Sequence, residues 1–158
     1  MQKKFPYKSI LIVCSVNTAR SPMAEGFLKD FFSKNKLDIE VKSGGISSHA
    51  RDGMLISMDS KLAMSEIGIK LSDTSVSIDL KKYPELIERA DLILTLTEKH
   101  KKEIHEFIDI DHKEIYTIKG FGGKSGDIED PSMKEEIFKK VRDEIIECLM
   151  EGLKKYSF

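Results

Sequence analysis

Short apolar runs alternate along this chain with longer stretches in which apolar residues recur every three or four positions. The first run, SILIVC at 9–14, is brief and continuous, as in a strand covered on both faces. From Pro22 onward, Met23, Ala24, Phe27, Leu28, Phe31 and Phe32 share one helical stripe, and its phenylalanines are read as packing. Ile39 and Val41 alternate with polar neighbours and mark a strand over 39–43. Helices are expected over 57–67, with Gly68 as a C-terminal cap, over 84–90 and over 99–107. Strands are expected over 91–96 and 114–118. A glycine-rich loop, KGFGGKSGDIEDPS, follows. A last helix is expected over 134–156, where Ile137, Val141, Ile145, Leu149 and Leu153 keep helical spacing.

Strands separated by helices imply parallel pairing, because a parallel connection needs a crossover. The expected fold is α/β: a single domain over 1–158, a three-layer sandwich with a four-stranded parallel sheet flanked by helices. In such sheets ligands bind at the carboxyl ends of the strands, where the strand order reverses. Cys14 occupies such an end.

Composition narrows the function. With 158 residues, 40% apolar and 34% charged, the chain has the makings of one ordinary globular core. A net charge of −1 gives no reason to expect nucleic acid or an anionic membrane. No apolar run approaches the ~20 residues of a membrane span, and MQKKFPYKS does not read as a signal peptide. A cytoplasmic monomer is expected. The two cysteines, Cys14 and Cys148, fit a reducing compartment, and Cys148 falls in the apolar pattern of the last helix. The four histidines, His49, His100, His105 and His112, show no ligand spacing, so neither metal nor cofactor is expected. EKHKKEIHE reads as a solvated helix face.

The stretch VCSVNTARSP carries the chemistry. Cys14 closes the first strand, and Arg20 follows after five intervening residues, just before the helical pattern. A loop between a strand end and a helix start can curl until its backbone N–H groups converge on an anion, with the helix N-terminus adding positive potential. In this chain that loop is Ser15, Val16, Asn17, Thr18 and Ala19. Arg20 can close the ring with a planar fork suited to two phosphate oxygens. The same field favours a thiolate at Cys14, placed beneath bound phosphate for in-line attack on phosphorus. Ser21 has two possible jobs: capping the helix ahead of Pro22, or donating to the thiolate. A phosphoryl transfer also needs an acid for the leaving oxygen and a base for the attacking water. Asp130, in the late loop, can serve both, although Asp-Pro is also a common turn dipeptide. Asp127 is the rival acid, and Glu129 a weaker one.

VCSVNTARSPMAEGFL resembles the signature of the low-molecular-weight protein tyrosine phosphatases, apolar-Val-Cys-x-Gly-Asn-x-Cys-Arg-Ser-Pro-Met-Ala-Glu. The likeness runs on through VKSGGI, ADLILTLTEKHKKEI, GDIEDPS and VRDEI, over nearly the whole chain. It implies hydrolysis of phosphomonoesters without metal, with Cys14 as nucleophile, Arg20 binding phosphate and stabilising the transition state, and Asp130 as general acid. It implies that Asn17, Ser21 and Ser43 orient the loop and the thiolate. The substrate would be a phosphorylated protein or a small phosphomonoester, of the phosphotyrosine type.

The chain departs from the pattern in three places. Val16 stands where the family usually has Gly, a strain if that position needs a positive φ. Ala19 replaces a cysteine able to pair with the nucleophile. Ser132 and then Met133 follow Asp130-Pro131 where an aromatic usually lines the substrate slot. Thr18 is the residue that members acting on phosphoarginine carry, and it keeps a protein arginine phosphatase as the alternative. Two rivals come from other classes. An arsenate reductase needs further cysteines to pass a disulfide along, and none lies between Cys14 and Cys148. A non-catalytic phosphate-binding module needs neither a nucleophile nor an acid.

Overall fold

Alternate residues of the first long strand serve two different cores. The computed structural model describes residues 3–131 and 135–158. The expected helix start at Lys134, and the pair Ser132 and Met133 after the Asp-Pro turn, lie outside the described residues. In chain order the elements are β1 (Lys3–Lys4), β2 (Ser9–Cys14), α1 (Arg20–Lys34), β3 (Glu40–Gly45) and α2 (Met58–Glu66). A 3-10 turn (Leu80–Lys82) leads to α3 (Pro84–Arg89), β4 (Leu92–Thr95), α4 (Glu98–Phe107) and β5 (Glu114–Thr117). The chain ends with α5 (Ile118–Phe121), α6 (Glu135–Leu153) and β6 (Tyr156–Ser157).

The main sheet has four parallel strands in the order β3-β2-β4-β5. On one face Ile10, Ile12 and Cys14 join Leu92 and Leu94 against α1, α2, α5 and α6. On the other, Leu11, Val13, Ile93 and Ile115 pack with Leu80, Ile87 and Ile104 from the 3-10 turn, α3 and α4. Both faces of β2 and β4 are therefore covered, which explains their unbroken apolar runs. Burial of these side chains, about 1.5–3 kcal/mol each, outweighs surface pairs such as Lys29–Glu25 and Lys34–Asp30, which are worth about 0–1 kcal/mol each. Arg142 is a buried exception: its Nη1 donates to Ala63 O at 2.8 Å and fastens α6 to α2.

The expectation of one four-stranded sheet is incomplete. A second, two-stranded parallel sheet joins β1 to β6. Two-residue strands have no period to read, and aromatic contacts hold these ones. Phe5 packs edge-on against Tyr156 at 5.1 Å and lies 5.4 Å from Phe158. Phe32 and Phe31 of the helical stripe join the same cluster, as packing residues.

The connection from β2 runs through α1 to β3 on one side, and the chain then crosses back to β4 on the other. The strand order thus reverses at the carboxyl end of β2, beside Cys14.

Candidate active site

The turn that leaves β2 is set by one left-handed residue and one glycine. Asn17 has φ +64°, a conformation Asn tolerates far better than a β-branched residue does. Val16 is not among the residues of positive φ, so the strain expected of it does not arise. Gly45, paired in register with Cys14, lets β3 approach the loop: a Cβ there would lie 2.6 Å from Ser15 O. Ile46 N and Ser47 N donate to the carbonyls of Cys14 and Ser15 along the same edge.

Polar side chains lock that backbone. Asn17 Nδ2 donates to Ser21 Oγ at 2.8 Å and to Ser43 Oγ at 2.9 Å, while Asn17 Oδ1 accepts from Ile78 N at 2.9 Å. Ser43 passes its own hydrogen to Glu25. Cys14 Sγ lies 2.8 Å from Ser21 Oγ and accepts from Asn17 N at 3.2 Å. Of the two jobs open to Ser21, the bond to sulfur is the one formed. Helix α1 starts two residues before Pro22, its N-cap is Ala19, and no side chain caps it. Arg20 and Ser21 are the residues of that first turn whose N–H groups precede the intrahelical ladder, since Pro22 has none and Met23 N donates to Ala19 O, and such amides suit an anion.

Cys14, Ser15, Val16, Thr18, Ala19, Arg20 and Asp130 line one small pocket. Arg20 is buried, Asp130 is 76% exposed, and Arg20 Nε lies 3.8 Å from Asp130 Oδ1. Arg20 Nη1 also donates to Ile128 O at 2.8 Å, and Ile128 N donates to Leu96 O at 2.9 Å. The late loop is thereby clamped between α1 and the end of β4. Asp127 does other work: its Oδ1 accepts from Glu98 N at 2.9 Å, at the start of α4. Thr18 O accepts from Ser57 N at 2.8 Å, which seats the N-terminus of α2 against the loop.

Two residues join this site beyond those the sequence pattern predicts. Glu25 stands on α1 as the acceptor behind Ser43, and its signal is the Glu that closes the family signature. His100 lies in the run expected to be a solvated face, yet it is buried with Nε2 2.8 Å from Ser15 Oγ. A signal existed: His100 and Ile104 are four apart on α4 and both are buried. Burial, then the nearby Arg20 charge, lowers the pKa of His100 from 6.5 to about 4. Cys148 is free and buried in the core, as its place in the apolar pattern implied.

The low molecular weight phosphotyrosine protein phosphatase family matches residues 9–156. The chain belongs to that family. Among relatives of this phosphatase, a protein-arginine-phosphatase of Geobacillus stearothermophilus is 37% identical over 150 residues, covering 94% of each chain. The low molecular weight protein-tyrosine-phosphatase Ptp of Acinetobacter johnsonii is 36% identical, covering 84% of this chain and 85% of its own. An arsenate reductase of Halalkalibacterium halodurans is 32% identical, covering 87% and 89%. Among solved structures, a cysteine-to-serine mutant of YwlE arginine phosphatase with a phosphorylated active-site serine superposes with a TM-score of 0.83 at 33% identity, covering 92% and 93%. Among the described residues no helix of the phosphatase is long and apolar enough to cross a membrane.

Proposed function

We propose that this phosphatase hydrolyses phosphorylated protein side chains through a cysteinyl-phosphate formed on Cys14. One observation carries the reading: a sulfur that accepts from Asn17 N and lies 2.8 Å from Ser21 Oγ shares a single pocket with Arg20 and Asp130. Donors to sulfur stabilise the thiolate, the nucleophilic form. The Cys14 sulfur attacks phosphorus, the S–P bond forms as the P–O bond breaks, and Asp130 gives its proton to the leaving oxygen. Water then attacks phosphorus, Asp130 takes that proton back, and the thiolate departs. Loop amides and the Arg20 fork hold the equatorial oxygens as their charge builds. Asn17, Ser21 and Ser43 keep the loop in the shape this needs, and Ser15, Val16, Thr18 and Ala19 contribute backbone to the cradle.

Phosphotyrosine is the substrate read from the family. Phosphoarginine is the second reading, supported by Thr18 in the pocket wall and by the arginine phosphatases among the relatives. An arsenate reductase is disfavoured by the chain's having two cysteines in all, one of them in the core. The reading includes a monomer of one domain working in the cytoplasm, where its free nucleophilic thiol stays reduced. Turnover of para-nitrophenyl phosphate, followed by phosphotyrosine against phosphoarginine peptides, tests it. Cys14→Ser is expected to abolish turnover and keep phosphate binding, and full activity in that variant overturns the assignment.

A further inference from the structure

Helix α4 brings one more side chain to the phosphate loop. His100 is 2% exposed, and its Nε2 lies 2.8 Å from Ser15 Oγ. The other ring nitrogen, Nδ1, is buried without a partner among the described residues. Ser15 lines the same pocket as Cys14 and Arg20. It occupies the unspecified position after Cys in the family pattern, so the resemblance does not imply this pair.

Ser15 and His100 can share a hydrogen in two ways. If Nε2 accepts, the Ser15 hydrogen is spent on the ring, the hydroxyl lone pairs face the pocket, and Nδ1 is a buried N–H with nothing to bond. If Nε2–H donates, Ser15 Oγ accepts, and its own hydrogen is free to turn into the pocket. Nδ1 is then an unpaired acceptor, which interiors tolerate better than an unpaired donor. A phosphoryl group repels lone pairs and accepts O–H, so the second arrangement suits a pocket that receives one.

We propose that His100 is a positioning residue: as the Nε2–H tautomer it donates to Ser15 Oγ and turns the Ser15 hydroxyl toward the phosphoryl group. The loop then offers a side-chain donor beside its backbone amides and Arg20. Neutrality of the ring at ordinary pH, which follows from its lowered pKa, leaves one hydrogen whose place is decided by these contacts. The inference rests on reading the pocket as the phosphatase site.

The experiment is calorimetric binding of inorganic phosphate, with para-nitrophenyl phosphate kinetics, on Ser15→Ala, His100→Leu, His100→Gln and the double variant Ser15→Ala/His100→Leu. Ser15→Ala and His100→Leu are each expected to weaken phosphate binding and kcat/KM roughly ten- to a hundredfold, the worth of one hydrogen bond to a charged group. The double variant should be no worse than Ser15→Ala, because both changes remove the same bond. His100→Gln, whose amide N–H can stand in for Nε2–H, should recover most of the loss. Additive losses, or a Gln variant as poor as the Leu variant, overturn the proposal and make His100 a packing residue. Should His100→Leu fail to fold, nitrogen NMR of the wild-type ring decides: protonated Nε2 with bare Nδ1 supports the proposal, and the reverse overturns it. A wild type that binds phosphate without turnover sinks the phosphatase reading alone, and the binding comparison still decides the role of His100. A wild type that binds no phosphate overturns both.

Discussion

Ser21 Oγ lies 2.8 Å from Cys14 Sγ while it accepts a hydrogen bond of the same length from Asn17 Nδ2. With Asn17 filling an acceptor position, the serine hydrogen is left for the sulfur. Ser21→Ala is therefore expected to slow turnover of para-nitrophenyl phosphate by about ten- to a hundredfold, through loss of a bond worth about 1.5–3 kcal/mol to a charged group. A rate within twofold of wild type would mean that the bond does nothing for the thiolate.

Arg20→Lys keeps the charge and loses the fork. The guanidinium reaches Ile128 O and Asp130 at once, a span that a single ammonium does not reproduce. Turnover should fall by about two to three orders of magnitude, and loss of the buried bond to Ile128 O should also lower thermal stability. Near-wild-type kinetics in this variant would place Arg20 outside the chemistry.

The two aspartates of the late loop are expected to separate by readout. Asp130→Asn should slow phenyl phosphate much more than para-nitrophenyl phosphate, since a good leaving group needs less of a proton. Asp127→Ala should leave that ratio alone and lower stability by about 0.5–2 kcal/mol, because its oxygen satisfies Glu98 N at the start of α4. That corresponds to roughly 2–4 °C in Tm for each kcal/mol in a chain of this size. Leaving-group dependence controlled by Asp127 would reverse the assignment.

His100 makes stability fall on the acid side. Its pKa is 6.5 in the unfolded chain and about 4 when folded, so above pH 6.5 the ring is neutral in both states and nothing is lost. Between pH 6.5 and about 4 the unfolded chain takes up a proton that the folded one refuses. Stability then drops by at most about 1.4 kcal/mol per pH unit. Denaturant titrations at several pH values, wild type against His100→Gln, should show this slope vanish in the variant. Equal slopes would mean that His100 is charged in the fold.

Much of this was open to reading, and for physical reasons. Cys14 and Arg20 are near neighbours in the chain, so a spacing could state their meeting in space. The sandwich was legible because β2 and β4 are buried on both faces and carry unbroken apolar runs. Asn17 and Ser43 are 26 residues apart, and their pairing follows from strand register, which periodicity does not encode. His100 hid in a polar run because a four-residue stripe holding one histidine and one isoleucine looks like a solvated face. The positive φ that would strain Val16 falls one residue later, on Asn17, which takes the left-handed turn. The two uses open to Ser21 differ only by where α1 begins, and helix ends are the least determined part of any pattern.

The pairing of β2 with β3 sets Ile12 opposite Ser43 and Cys14 opposite Gly45. A slip of one residue would bring Lys42 or Gly44 to the place of Ser43 and turn the buried side chains of β3 outward. In the second case it would also put Ile46 into the spot where only a missing Cβ lets the loop close. A chain threaded wrongly at this seam is catalytically silent, so the fraction of activity regained after refolding counts the molecules that have found the right thread.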